Sequence, residues 1–271
     1  MEFIKRKNIK MKNNELYQKL KEKKFILSGP CVIENEDMIM YLAENIKKMT
    51  EDLNFIYIFK ASFDKANRTS LNSYRGVGID EGLRILQKVK DEFDLPLTTD
   101  IHESSQASAL GEVIDVIQIP AFLCRQTDLL VATAKTDRIV NIKKAQFLDG
   151  KDMIHPIIKV RDSGNDKIML TERGSMFGLG NLVVDFRQII DMKEFGYPVV
   201  MDVTHSTQKP SALGGTSGGD RKYAPYMAKL ANAVGVNGFF FEVHKNPEKA
   251  LSDGPNMVYL KDFRKILESI K

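Results

Sequence analysis

Eight short runs of β-branched, aliphatic and aromatic residues recur along this chain, each separated from the next by a longer amphipathic stretch. They are Phe25–Ser28, Phe55–Lys60, Leu97–Asp100, Val116–Ile119, Ile139–Ile142, Lys167–Thr171, Val199–Asp202 and Gly238–Glu242. Helical spacing of apolar residues follows several of them, as over Gly82–Glu92 and Tyr223–Val234. Runs nearly continuous in apolar residues mark strands buried on both faces, and their alternation with helices indicates parallel βα units. Eight such units in 271 residues predict one α/β domain, a closed (β/α)8 TIM barrel, with an open doubly wound sheet as the alternative. No linker, low-complexity tract or sequence repeat interrupts the series. The expected organisation is an N-terminal extension over 1–24 and a single barrel domain over 25–271.

Composition narrows the function classes. Hydrophobic residues make up 43% of the chain, enough for one sizeable core. Forty basic and 36 acidic side chains leave a formal charge of +4, with no basic run beyond the tail, so nucleic acid is not an expected partner. The tail is rich in Lys and Asn and lacks the apolar core of a signal peptide; a solvated extension ending in a short helix is expected. No apolar stretch approaches the roughly 18–20 residues of a membrane span. Two cysteines, Cys31 and Cys124, make no disulfide framework, and a cytoplasmic location with reduced thiols is expected.

Polar and ionisable groups gather at the C-terminal end of each run. Gly29-Pro30-Cys31, Lys60, Asp100 with His102, Gln118, Lys143-Lys144, Glu172-Arg173, Asp202 with His205, and Glu242 with His244 close or follow the eight in turn. In a barrel that end carries the loops that build an active site. Lys60, Lys65, Arg68, Lys143 and Arg173 bring more positive charge to one rim than the nearby acids are expected to neutralise. Phosphate and carboxylate are the natural ligands of such a set. Cys31, His205, Glu242 and Asp253 come from the ends of strands 1, 7 and 8 and from the loop after strand 8, which become neighbours on closure. Thiolate, imidazole and carboxylate suit Zn²⁺, Fe²⁺, Mn²⁺ or Co²⁺, although the spacing equally allows Cys31 to be a small buried hydrophobe. Gly214–Gly219 begins like a phosphate loop, but Asp220 and Arg221 stand where Lys and Ser/Thr are required, so it reads as a flexible active-site loop. Arg75-Gly76-Val77-Gly78 lacks the strand and third glycine of a dinucleotide fingerprint.

Beyond these patterns, nearly the whole chain from Phe25 onward resembles the 3-deoxy-D-manno-octulosonate 8-phosphate synthases. The resemblance rests on Gly29–Glu34, Phe59–Tyr74, Thr99–Glu103, Gln118–Asp128, Asn141–Phe147, Thr171–Gly174, Asn181–Asp185, Asp202–Ser206 and Ser252–Pro255. It implies a barrel enzyme, usually a homotetramer, joining phosphoenolpyruvate to D-arabinose 5-phosphate with release of phosphate, for lipopolysaccharide assembly. It further implies that Lys60, Lys143 and Arg173 hold phosphoenolpyruvate with Gln118 and the Ala121 backbone, and that Lys65 lies near both substrates. Asn67, Arg68 and Thr69 would bind the aldose phosphate, Arg68 reaching a neighbouring subunit's site; the family commonly has Ser at position 69, and Thr keeps the hydroxyl. Lys60, Lys65, Asp100 and His205 are the expected catalytic groups. Metal-dependent members carry Cys at position 31 and metal-independent ones Asn, so Cys31, His205, Glu242 and Asp253 imply a divalent metal, with no organic cofactor. The related 3-deoxy-arabino-heptulosonate 7-phosphate synthases use erythrose 4-phosphate and typically have Lys-Pro-Arg-Thr where this chain has Lys65–Ser70. A non-catalytic sugar-phosphate-binding barrel would be expected to lose part of the cation or metal set; nothing is lost here.

Overall fold

The computed structural model describes residues 13–68, 70–176, 180–209 and 218–271. Eight parallel strands form the barrel: β1 (Phe25–Gly29), β2 (Ile56–Lys60), β3 (Leu97–Asp100), β4 (Val116–Ile119), β5 (Ile139–Lys143), β6 (Ile168–Glu172), β7 (Val199–Asp202) and β8 (Gly238–His244). Each pairs with its predecessor, and β1 closes on β8 with Phe25 opposite Gly238 and Gly29 opposite Glu242. That closure excludes the open sheet and bears out the expected barrel. Every expected run coincides with a strand to within two residues at either end.

Outer helices follow from apolar spacing. In Ile79–Phe93 the buried positions are Gly82, Ile85, Leu86 and Val89, and in Leu260–Glu268 they are Leu260, Phe263, Ile266 and Leu267. These intervals of three and four put one stripe against the outward strand side chains. The inward side chains divide into two levels. Toward the N-terminal mouth, Leu27, Ile58, Val116, Ile139, Met169, Val200 and Phe240 make an apolar plug. Above it, the same strands change to Lys60, Asp100, Gln118, Asn141, Lys143, Thr171, Asp202 and Glu242, all buried.

The tail ends in the short helix expected of it, but that helix is docked on the barrel rather than solvated. Residues 13–22 form a helix whose Tyr17 and Leu20 join the apolar plug. The Tyr17 hydroxyl donates to the Ile168 carbonyl at 2.9 Å and accepts from the Ile168 N–H at 3.2 Å, and Asn13 Nδ2 donates to the Asp115 carbonyl at 3.0 Å. An open barrel mouth exposes apolar ends of eight strands, and this helix covers them. Both cysteines are buried free thiols. Among the described residues no helix is long and apolar enough to cross a membrane.

Candidate active site

Parallel strands deliver their C-terminal ends to one rim, and there the polar level opens into a cavity of about 890 Å³. Lys60, Lys65, Asn67, Arg68, Asp100, Gln118, Ala121, Lys143, Arg173, His205, Glu242 and Asp253 all line it. Thr69 lies outside the described residues, as do positions 214–217 of the glycine-rich stretch. Gly218 and Gly219 form a short antiparallel ladder with Gln208 and Lys209.

Cys31, Glu242 and Asp253 offer a thiol and two carboxylates whose ligand atoms lie within 4.8 Å of one another. His205 Nε2 faces them, 3.6 Å from Glu242 Oε1 and 3.6 Å from Asp253 Oδ2. Several local features bring the set together. A Cβ on Gly29 would stand 2.0 Å from the Lys60 carbonyl, so glycine lets the ends of β1 and β2 close together and aims Cys31 inward. Asp202 Oδ1 accepts the His205 N–H at 2.8 Å, and Asp202 Oδ2 lies 2.8 Å from His205 Nδ1, which fixes the ring with Nε2 toward the cavity. Asp253 sits in the left-handed region at φ 47°, which Asp tolerates better than most residues, and Ser252 Oγ lies 2.8 Å from Cys31 Sγ. The loop bearing Asp253 is gripped by Arg221, whose guanidinium donates to the Gly254 carbonyl at 2.9 Å and to Glu248 at 2.8 Å.

This donor set fits a divalent transition metal. Glu242 Oε2 is buried without a hydrogen-bond partner, an acceptor that a cation would satisfy. Burial pushes the Cys31 thiol up, with the Glu242 charge adding to the effect. Burial alone would raise Asp253 and Glu242 as well. His205 holds Asp253 down, and Lys60 with His205 holds Glu242 down, so both remain carboxylates.

The cations are better neutralised than the sequence suggests. Lys143 Nζ lies 2.7 Å from Asp202 Oδ2 and 4.3 Å over the Phe240 ring. Lys60 Nζ is committed inward, donating to Glu242 Oε1 at 2.8 Å and to the Cys31 carbonyl at 2.9 Å. Lys65 Nζ stands 3.9 Å from both Asp100 and Glu242; burial would depress its pKa, but the two carboxylates outweigh that and keep it an ammonium. Asp100, held in turn by Ser62 Oγ at 2.6 Å, stays ionised because Lys65 and Lys60 overcome its burial. The arginines are less well paired, Arg173 most clearly. Its Nη2 donates to Gln208 at 2.8 Å, while Nε and Nη1 are buried without partners. Buried donors of a permanent cation call for an anion.

Arg68 lines the cavity of its own chain, with Nε donating to the Tyr74 carbonyl at 3.0 Å and Nη2 buried and unpartnered. The reason is local: the loop turns back on itself, Lys65 N–H bonding the Arg75 carbonyl at 2.7 Å, and this points Arg68 inward. Sequence reasoning assigned no role to Asp202, Gln208 or Ser252. The Asp202-x-x-His205 spacing carries a signal, since an Asp side chain caps the backbone two or three residues on; nothing local marks the other two.

A family model described as the DAHP synthetase I family matches residues 8–271. Curated relatives named 2-dehydro-3-deoxyphosphooctonate aldolase include one from a Cyanothece species, 53% identical over 245 residues that cover 90% of each chain. One from Fusobacterium nucleatum is 52% identical over 91% of this chain and 89% of its own. One from Campylobacter jejuni is 52% identical over 92% of this chain and 96% of its own. With a barrel and a rim of this composition, the chain belongs to the DAHP synthetase I family and, within it, to the 2-dehydro-3-deoxyphosphooctonate aldolases.

Proposed function

We propose that this chain condenses phosphoenolpyruvate with D-arabinose 5-phosphate and water, giving 3-deoxy-D-manno-octulosonate 8-phosphate and inorganic phosphate for lipopolysaccharide biosynthesis. The observation that carries the reading is the meeting in one cavity of Arg173, with two buried unsatisfied donors, and Glu242 and Asp253, against which the Cys31 thiol packs. A phosphorylated carboxylate and an aldehyde needing polarisation suit those two halves.

In this reading Arg173 and Lys143 bind phosphoenolpyruvate, with Gln118 and the Ala121 backbone beside it. Lys60 adds charge from behind Glu242, since most of its donors are taken. Asn67, Arg68 and Thr69 take the aldose phosphate, the guanidinium supplying a fork and the neighbours neutral donors. The C3 carbon of phosphoenolpyruvate attacks the aldehyde carbon, forming the new C–C bond, and Lys65 donates a hydrogen bond and then a proton to the aldehyde oxygen. Asp100 keeps Lys65 oriented for that transfer. Water adds at C2, giving up one proton that restores the Lys65 ammonium, and the tetrahedral species then breaks its C2–O bond to phosphate, the remaining hydroxyl proton leaving with the phosphate as C2 becomes a ketone. Cys31, His205, Glu242 and Asp253 would hold a divalent Zn, Fe, Mn or Co ion, which polarises an oxygen and lowers the pKa of water when bound. No organic cofactor enters.

Residues 25–271 act as the catalytic domain in this scheme, in a homotetramer whose neighbouring subunits complete one another's sites. The two free thiols suit the reducing cytoplasm. Phosphate release measured with arabinose 5-phosphate beside erythrose 4-phosphate tests the substrate assignment; faster turnover of erythrose 4-phosphate would overturn it.

A further inference from the structure

Two dipeptides at the rim, Lys143-Lys144 across the end of β5 and Glu172-Arg173 across the end of β6, each place one side chain in the cavity and one behind the barrel wall. Successive strand residues face opposite ways. Lys143 and Arg173 therefore point inward, and Lys144 and Glu172 meet outside, with side chains 0% and 1% exposed. Lys144 Nζ lies 3.6 Å from Glu172 Oε2 and donates to the Leu148 carbonyl at 3.0 Å, the Ala145 carbonyl at 3.3 Å and Ser175 Oγ at 3.4 Å. One ammonium thus ties the loop after β5 to the loop after β6. Glu172 Oε1 accepts two successive backbone donors, the Arg173 N–H at 2.9 Å and the Gly174 N–H at 2.5 Å. Gly174 has φ +88°, the left-handed geometry that turns two adjacent N–H groups onto one anion.

A buried ion pair of this kind adds little net stability, because desolvation offsets most of its attraction. Its geometric effect is larger. The Arg173 backbone is held from behind by the Glu172 carboxylate, and the peptide joining Lys143 to Lys144 is held by the Lys144 N–H donating to the Thr171 carbonyl at 2.8 Å. An arginine that presents two unpaired donors to a ligand gains from such fixing, since the side chain's own bonds leave it only Gln208 as an anchor.

We propose that Lys144 and Glu172 are positioning residues for phosphoenolpyruvate, a buried pair that sets Lys143 and Arg173 at the spacing the anion requires. The inference rests on the assignment of Arg173 to phosphoenolpyruvate.

The experiment compares Lys144→Met, Glu172→Gln and the double variant in the full-length enzyme. Both KM values are measured, together with the phosphoenolpyruvate Kd by calorimetry and the melting temperature. Lys144→Met removes the charge but keeps most of the stem, and should weaken phosphoenolpyruvate about tenfold with the aldose KM within about twofold. Glu172→Gln keeps an oxygen for the two N–H groups and should lose less, about threefold. The double variant leaves no unpaired buried charge and should lose less than the product of the two single effects. Should Lys144→Met fail to fold, Glu172→Gln carries the same comparison. A lower melting temperature with both KM values unchanged would make the pair merely structural and overturn the proposal, as would equal loss for both substrates. Arg173→Ala is run alongside: unchanged phosphoenolpyruvate binding there overturns the underlying assignment, whereas weak binding there with wild-type binding in the pair variants overturns only the positioning role.

Discussion

Lys143 and His205 are joined through a single oxygen atom: Asp202 Oδ2 lies 2.7 Å from Lys143 Nζ and 2.8 Å from His205 Nδ1. One side chain faces the anion half of the cavity and the other the ligand cluster, so Asp202 couples the two halves. Burial would raise this carboxylate, but His205 and Lys143 hold it far below the usual range. Asp202→Asn should lower metal affinity about tenfold to a hundredfold, as loss of a carboxylate behind a ligating imidazole does. It should also raise the KM for phosphoenolpyruvate. Metal titration and steady-state kinetics on the same preparation check both; wild-type values for both would show that the shared oxygen couples nothing.

Metal uptake should release protons. Burial pushes the Cys31 thiol up, so at neutral pH without metal it is protonated, and ligation needs the thiolate. Below that raised pKa, apparent affinity should rise about tenfold per pH unit for the one proton lost. His205 adds to the slope on the acid side: burial lowers its pKa, but Asp202 and Glu242 outweigh that and raise it overall, so a second proton leaves there. Calorimetry in buffers of different ionisation enthalpy counts the protons. A pH-independent affinity would contradict this chemistry.

Arg68 and Arg173 line the cavity of one chain. With neighbouring subunits completing one another's sites, hybrid tetramers made from Arg68→Ala and Arg173→Ala subunits should regain some activity, and none at all would show that each subunit builds its site alone. Recovery on demonstrated subunit exchange would mean that one of these side chains serves a neighbour's site.

The barrel itself was legible because most strands are compact apolar runs closed by a polar residue, as Ile139–Lys143 is, and period-two and period-three-to-four patterns need no tertiary information. The rim residues were legible for the same reason: they end strands. What stayed hidden depends on contacts between distant segments. Tyr17 reads as part of a basic tail until its hydroxyl meets Ile168, 151 residues away. Lys60 reads as a free cation until Glu242 meets it across the closed β1–β8 seam.

The helix over 13–22 should matter to stability rather than chemistry. Leu20 is fully buried against the barrel floor, so Leu20→Ala should cost about 2–5 kcal/mol of stability. Both KM values should stay near wild type. Thermal denaturation beside kinetics checks this; an unchanged melting temperature would mean that the helix does not plug the barrel in solution.

Substrate choice and metal dependence meet in one assay, continuous phosphate release from phosphoenolpyruvate with arabinose 5-phosphate or erythrose 4-phosphate as acceptor, before chelation, after it, and after Mn²⁺ or Co²⁺ is restored. Turnover is expected with arabinose 5-phosphate well above erythrose 4-phosphate, lost on chelation and recovered with either ion. Full activity in a verified metal-free preparation, or preference for erythrose 4-phosphate, would contradict the assignment built on Cys31, Glu242, Asp253 and Arg173.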